Sequence, residues 1–239
     1  MTDLLQAEAI ESGYGQTQVL WGAGLRVAPQ ESVVLLGANG AGKTTLLKVV
    51  MGLMPAWSGR VLLDGGDITA QRTDRRVRQG VAYMSELGVF PGLSIHENLE
   101  IGGQFAPAQA LRTRIDQLFA VFPDLASRPG ALASSLSGGQ RKMLGIAKAL
   151  AGAPRLLVMD EPSAGLSPLF VAEVLAVLRR FRQSTTEGLA LLIAEQNVAF
   201  LELADRVYTL EAGRIGFEGT VAALHQDDAL HRAYFGLTA

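Results

Sequence analysis

The sequence predicts an α/β fold, and three observations carry that reading. Short apolar runs recur at Ser32–Leu36, Arg60–Leu63, Val81–Met84, Leu156–Met159 and Leu189–Ala194. Runs this continuously apolar are buried on both faces, as in a parallel sheet covered by helices. Helical patterns lie among them, and a glycine-rich turn follows Ser32–Leu36 directly. Strand, turn and helix in alternation make an α/β architecture.

The elements follow in chain order. Leu4–Val27 reads as antiparallel strands, punctuated by Gly13, Gly15, Gly22 and Gly24. Arg72–Arg78 carries Arg72, Arg75, Arg76 and Arg78 around Asp74 and reads as a solvated helix face. Pro91–Ala151 contains no strand pattern. Its Ala108–Val121 stretch predicts a helix, with breaks at Pro123 and Pro129-Gly130. In Gly139–Ala151, Met143, Ile146, Ala147 and Leu150 fall at helical spacing. Phe170, Val174, Val177, Leu178 and Phe181 do the same in Pro168–Arg182. The expected organisation is one domain over 1–239. Residues 1–88 and 152–239 form a core that includes the antiparallel β region, and 89–151 form an inserted helical subdomain.

Composition narrows the function. The chain has 239 residues, enough to bury a core without cross-links. Its 21 basic and 23 acidic residues leave a net charge of −2, against the basic excess of a general nucleic-acid binder. With no cysteine, a disulfide framework and a thiolate metal site are excluded. No apolar run is long enough to span a bilayer, and the first residues lack the pattern of a signal peptide. Charged residues make up only 18%, a hint that partners cover part of the surface.

Chemistry concentrates in three motifs. Gly37-Ala-Asn-Gly-Ala-Gly-Lys-Thr-Thr45 fits G-x-x-x-x-G-K-[ST], with a strand before it and a helix after. Glycines let successive N–H groups converge on phosphate oxygens, and the helix adds the positive end of its dipole. Gly37, Asn39, Gly40, Ala41, Gly42, Lys43, Thr44 and Thr45 would cradle the phosphates. Lys43 would reach the β- and γ-phosphates, and the Thr44 hydroxyl would ligate Mg²⁺, which prefers oxygen. A second motif, Asp160-Glu161, ends the Leu156–Met159 strand, where parallel-sheet sites form. Asp160 is a candidate Mg²⁺ ligand and Glu161 a candidate general base. The third, Leu136-Ser-Gly-Gly-Gln140, opens a helix with Ser137 as N-cap and bare backbone at Gly138 and Gly139. It is a second anion-seeking helix start.

In this order the motifs resemble the Walker A, signature and Walker B motifs of ATP-binding cassette (ABC) ATPases, and the resemblance spans essentially the whole chain. It implies a P-loop NTPase core with ATP and Mg²⁺ as ligands. It also implies a head-to-tail pair of cassettes, in which each ATP touches Walker A of one chain and Ser137, Gly138, Gly139 and Gln140 of the other. Tyr14 resembles the aromatic that stacks on adenine. Ser163–Ser167 matches the D-loop. Gln196 stands where many members have the switch histidine, and its amide can donate to a γ-phosphate oxygen. Glu86 is a departure: it occupies the Q-loop glutamine position, and an ionised carboxylate can ligate Mg²⁺ but cannot donate a hydrogen bond.

The segments Glu161-Pro-Ser-Ala-Gly-Leu-Ser-Pro168 and Glu195-Gln-Asn197, with the phosphate loop, resemble one branch of the family. That branch is the smaller ATPase subunit of branched-chain amino acid uptake transporters. The resemblance implies separate membrane permease subunits, a second ATPase subunit, and a periplasmic or extracellular substrate-binding protein acting indirectly. It places the chain at the cytoplasmic face of the membrane, with no nucleic-acid partner. Urea and short-amide importers share the motifs. Rival expectations are a cassette serving nucleic acid or ribosomes, and a degenerate binding module suggested by Glu86 and Gln196.

Overall fold

The computed structural model describes residues 2–86, 88–184, 188–227 and 234. Leu87, in the loop that carries Glu86, lies outside the described residues. The strands are β1 (Leu5–Tyr14), β2 (Thr17–Val27), β3 (Ser32–Leu36), β4 (Ser58–Leu63), β5 (Gly66–Asp67), β6 (Val81–Met84), β7 (Leu156–Asp160), β8 (Ala190–Glu195), β9 (Arg206–Glu211) and β10 (Arg214–Gly219). The helices are α1 (Lys43–Val50), α2 (Thr73–Arg78), α3 (Ile95–Gly102), α4 (Ala108–Val121), α5 (Pro123–Ala126), α6 (Gly138–Leu150), α7 (Pro168–Ser184) and α8 (Val221–Gln226). The chain divides into two compact units, 1–76 with 190–239, and 77–189.

The first unit holds two sheet regions. One is antiparallel, in the order β2-β1-β4-β5. In the other, β3 lies parallel between β8 and β9, and β10 pairs antiparallel with β9. All five residues of β3 and all six of β8 are buried, which is why both runs are apolar without alternation. The antiparallel expectation for Leu4–Val27 holds, with Gly15 at φ +60 in the hairpin turn. Arg60–Leu63 departs from the parallel expectation. It belongs to β4, which pairs antiparallel with β1 and exposes alternate residues. A four-residue apolar run is too short for its periodicity to show which kind of sheet it joins.

The solvated reading of Arg72–Arg78 fails at Arg76, which is 1% exposed. Its guanidinium donates to the carbonyls of Val49, Val50, Ile68, Thr69 and Gln71. Val49 and Val50 end α1, so Arg76 adds donors to carbonyls at the helix end, where that of Val49 also accepts the Gly52 N–H at 3.0 Å. Gly52 makes room for it, since a Cβ there would stand 2.8 Å from Arg76 Nε.

The second unit pairs β6 with β7 in parallel and packs α6 against β6. Capping boxes start α3 at Ser94 and α6 at Ser137. No helix among the described residues is long and apolar enough to cross a membrane.

Candidate functional site

In the first unit, the carboxyl ends of β3, β8 and β9 lie side by side, with Leu36 opposite both Glu195 and Thr209. The phosphate loop leaves from there. Gly37 N–H donates to the Glu195 carbonyl at 3.2 Å, and Gly213 N–H to the Ala41 carbonyl at 2.9 Å. Gly37 must be glycine, because a Cβ would meet the Leu210 carbonyl oxygen at 2.6 Å. Gly40 and Gly42 take φ +81 and +109, the left-handed region that favours glycine. Gly42 caps α1 without a side-chain hydrogen bond, and the first turn has no acidic residue. A helix start of this kind suits an anion.

Lys43 is 3% exposed, and its Nζ donates to the Gly37 carbonyl at 2.7 Å and the Ala38 carbonyl at 3.1 Å. The ammonium thus folds back across the loop. Asn39 and Gly40 are exposed, Thr44 is half-buried, and Ala41 and Thr45 are buried. Tyr14, on the β1–β2 hairpin, is 50% exposed, so it is not a packed strand aromatic. Lys48 Nζ sits 5.6 Å from its ring centroid and donates to its hydroxyl at 3.4 Å. Gln196 is exposed just past the end of β8.

Glu195 is a residue the sequence reading missed. It is 2% exposed, and its Oε2 accepts from the Gln196 and Asn197 N–H groups at 3.0 and 3.1 Å. It fixes the turn that presents Gln196. The signal was a carboxylate ending an otherwise apolar strand, the same signal that marked Asp160.

In the second unit, Asp160 ends β7 and is 3% exposed. The Tyr83 hydroxyl of β6 donates to its Oδ2 at 3.1 Å. Glu161 is half-buried and sits at φ +48, a left-handed conformation uncommon for a non-glycine residue. Strain of this kind concentrates at functional positions. Glu86 is exposed on the loop after β6. Lys142 of α6 donates to the carbonyls of both Glu86 and Glu161, each at 2.9 Å. Neither Tyr83 nor Lys142 stood out from sequence, since each lay inside an element pattern.

The start of α6 is less bare than expected. Ser137 Oγ accepts the Gln140 N–H, while Gln140 Oε1 accepts from Ser137 N–H at 3.1 Å and from Arg128 Nη2 at 2.8 Å. The capping box thus engages both side chains of the motif. Gly138 is exposed, and Gly139 is buried beneath Phe170, whose ring would lie 2.5 Å from a Cβ. The backbone of these two glycines remains the anion-seeking part.

The residues fit a Mg²⁺–nucleotide by donor type. In the first unit the loop offers backbone N–H groups and a buried ammonium to phosphate, and Thr44 offers a hydroxyl; in the second unit Asp160 offers a carboxylate, and oxygen of both kinds suits a hard cation. Comparison with known proteins shows the family. The family described as "ABC transporter" matches residues 20–164. The high-affinity branched-chain amino acid transport ATP-binding protein BraG of Pseudomonas aeruginosa is 36% identical over 98% of this chain and 100% of its own. The lipopolysaccharide export system ATP-binding protein LptB of Haemophilus influenzae is 34% identical over 98% of this chain and 97% of its own. Among solved structures, the ADP conformation of MJ1267, an ATP-binding cassette of an ABC transporter, has a TM-score of 0.82 and 26% identity. It covers 99% of this chain and 100% of its own. Motif order, fold and full-length similarity converge: the chain belongs to the ABC transporter family and is an ATPase of the ATP-binding cassette type.

Proposed function

We propose that this chain is the ATP-hydrolysing subunit of an importer for branched-chain or related amino acids. It would work at the cytoplasmic face of the membrane with separate permease subunits and a second ATPase subunit, as homodimer or heterodimer. A substrate-binding protein would act upstream. The observation that carries the reading is the end-to-end similarity to BraG. The similarity to LptB supports a second reading, an export system. A urea or short-amide importer would use the same motifs.

The chemistry assigned to each residue follows from its place. The loop from Gly37 to Thr45 binds the triphosphate through backbone N–H groups and the α1 start. Lys43 exchanges the Gly37 and Ala38 carbonyls for the β- and γ-phosphates. Tyr14 offers its exposed ring to adenine. Thr44, Asp160 and Glu86 are the assigned Mg²⁺ ligands. Bound there, Mg²⁺ would offset phosphate charge. Glu161 takes the proton of the attacking water, and Gln196 donates its amide to a γ-phosphate oxygen. The signature backbone at Ser137–Gln140 serves the nucleotide of the partner chain. The helical region 89–151 and the Glu86 loop grip the permease.

Two measurements test this reading. Glu161→Gln should lower ATP turnover by at least about a hundredfold, the weight of a lost general base, and trap an ATP-bound dimer on a sizing column. Undiminished turnover removes Glu161 from that role. Reconstitution with the co-purifying permease should give ATP-driven uptake of leucine-type amino acids; uptake of urea or short amides instead, or outward movement of lipid, selects another reading.

A further inference from the structure

Lys142 is a buried cation inside α6, 9% exposed. A buried ammonium is costly unless oriented acceptors surround it. Here the acceptors come from two separate strand ends. Nζ donates to the Glu86 carbonyl, just after β6, and to the Glu161 carbonyl, just after β7. The Glu161 carbonyl also accepts the Ala164 N–H at 3.1 Å, closing the turn that holds Glu161 at φ +48.

The approach of α6 to this loop is built in backbone. A Cβ on Gly145 would stand 3.3 Å from Gly88 Cα and 3.3 Å from Met84 Cε, and Gly88 sits at φ +63. A glycine inside a helix costs stability relative to alanine, so it needs a packing reason. Here the reason is contact between α6 and the loop after β6. Lys142, one turn before Gly145, reaches that loop and the turn after β7 together.

We propose that Lys142 is a positioning residue for hydrolysis. It ties the backbone of Glu161 to the loop carrying Glu86, so the placement of the Glu161 carboxylate answers to that loop. The inference rests on the reading of Glu161 as general base. It adds a device by which movement of the Glu86 loop, or of α6 and its signature start, reaches the base through one ammonium.

The test uses the full chain with Lys142→Met, which keeps the bulk and removes the donors, and Lys142→Arg, which keeps the positive charge and N–H donors. Steady-state ATPase, binding of the fluorescent analogue mant-ATP, and hydrogen exchange of the 160–165 segment are compared. Lys142→Met should lower kcat about a hundredfold, the effect of misplacing a reacting group by about an ångström. Its mant-ATP affinity should stay within about threefold of the parent, since no phosphate contact is lost. Exchange in 160–165 should speed up in Lys142→Met alone, and Lys142→Arg should restore most of kcat. Parental kcat in Lys142→Met overturns the proposal. So does an Arg variant as slow as the Met variant, or loss of mant-ATP binding in parallel with turnover. Glu161→Gln separates the two claims. If it is fast, the base reading fails; if it is inert while Lys142→Met is normal, only the positioning role fails.

Discussion

Glu86 is the main departure of this chain from the family pattern, and its side chain is exposed while its carbonyl is held by Lys142. The carboxylate is therefore free of packing constraints that would make a substitution ambiguous. Glu86→Gln exchanges an acceptor for a group that can also donate. One hydrogen bond gained or lost is worth about 0.5–1.5 kcal/mol, so kcat or the Mg²⁺ concentration at half-maximal rate should shift about two- to tenfold. A Mg²⁺ titration of ATPase rate in both proteins measures it, and identical curves would take Glu86 out of the site. At this scale the sequence was most informative for residues whose chemistry depends on backbone. Gly37, Gly42 and Lys43 could be placed because only a narrow set of residues fits a loop whose N–H groups converge. Lys142 and Glu195 could not. Their importance comes from carbonyls and N–H groups of distant residues, which leave no pattern in side-chain identity.

Among the elements, α1 shows how far periodicity reaches. Its start was legible from the glycines before Lys43. Its end depends on Arg76, which sits in a charged run that looks solvated and is buried instead. Burial pushes the Arg76 guanidinium down to about 10, although the charge of Asp67 opposes this. Arg76→Met would take that donor from the carbonyls of Val49, Val50, Ile68, Thr69 and Gln71, of which Val49 and Ile68 keep the N–H groups of Gly52 and Gln71. With each unsatisfied buried group costing about 1–3 kcal/mol and some reaching water, the loss should be about 3–5 kcal/mol. Thermal unfolding should show a Tm drop of about 6 °C or more. Arg76→Lys, with a compact three-donor head, should fall between.

A second cluster joins β2 to β9 and β10. Arg206 donates to Glu31 and Glu218, each at 2.8 Å, and Arg26 donates to Glu218 at 3.1 Å. Burial pushes the Glu218 carboxyl up, but the hydrogen bonds from Arg206, Tyr208 and Arg26 outweigh it and hold the group below its ordinary value. A carboxyl depressed in the folded state stabilises fully above its unfolded value, and that contribution fades as pH falls through the folded one. Glu218→Gln should therefore cost stability at neutral pH and little at low pH. Urea denaturation at several pH values reads this as a flatter acid limb; parallel limbs would mean the cluster is screened by solvent. Arg26, Glu31, Arg206, Tyr208 and Glu218 are spread along the sequence, so no local pattern announces the cluster.

For the whole molecule, the decisive feature is that one chain carries two anion-seeking helix starts. The α1 start has no side-chain cap and no acid in its first turn. At the α6 start, Ser137 and Gln140 are engaged with each other, so the role proposed for this motif falls to the Gly138–Gly139 backbone. If one nucleotide uses α1 of one chain and α6 of another, neither start alone completes a site. Hydrolysis then requires two chains, and its dependence on protein concentration follows. At concentrations below the dimer dissociation constant, specific activity should rise in proportion to protein concentration, then level off. Mixing gives a sharper reading. A Lys43→Ala chain lacks a working phosphate loop but keeps the α6 start, and a chain with Gly138 replaced by a bulky residue keeps only the loop. Each should be nearly inert alone. Together they should recover part of the parental rate, because one of the two sites in the mixed dimer is intact. No recovery, with both proteins folded and still binding each other, would mean that the two starts act within a single chain. The net charge of −2 fits this arrangement, since two such chains can close on each other without large mutual repulsion. DNA added to the same assay should leave the rate unchanged, because the surface offers no basic excess for phosphate backbones to engage.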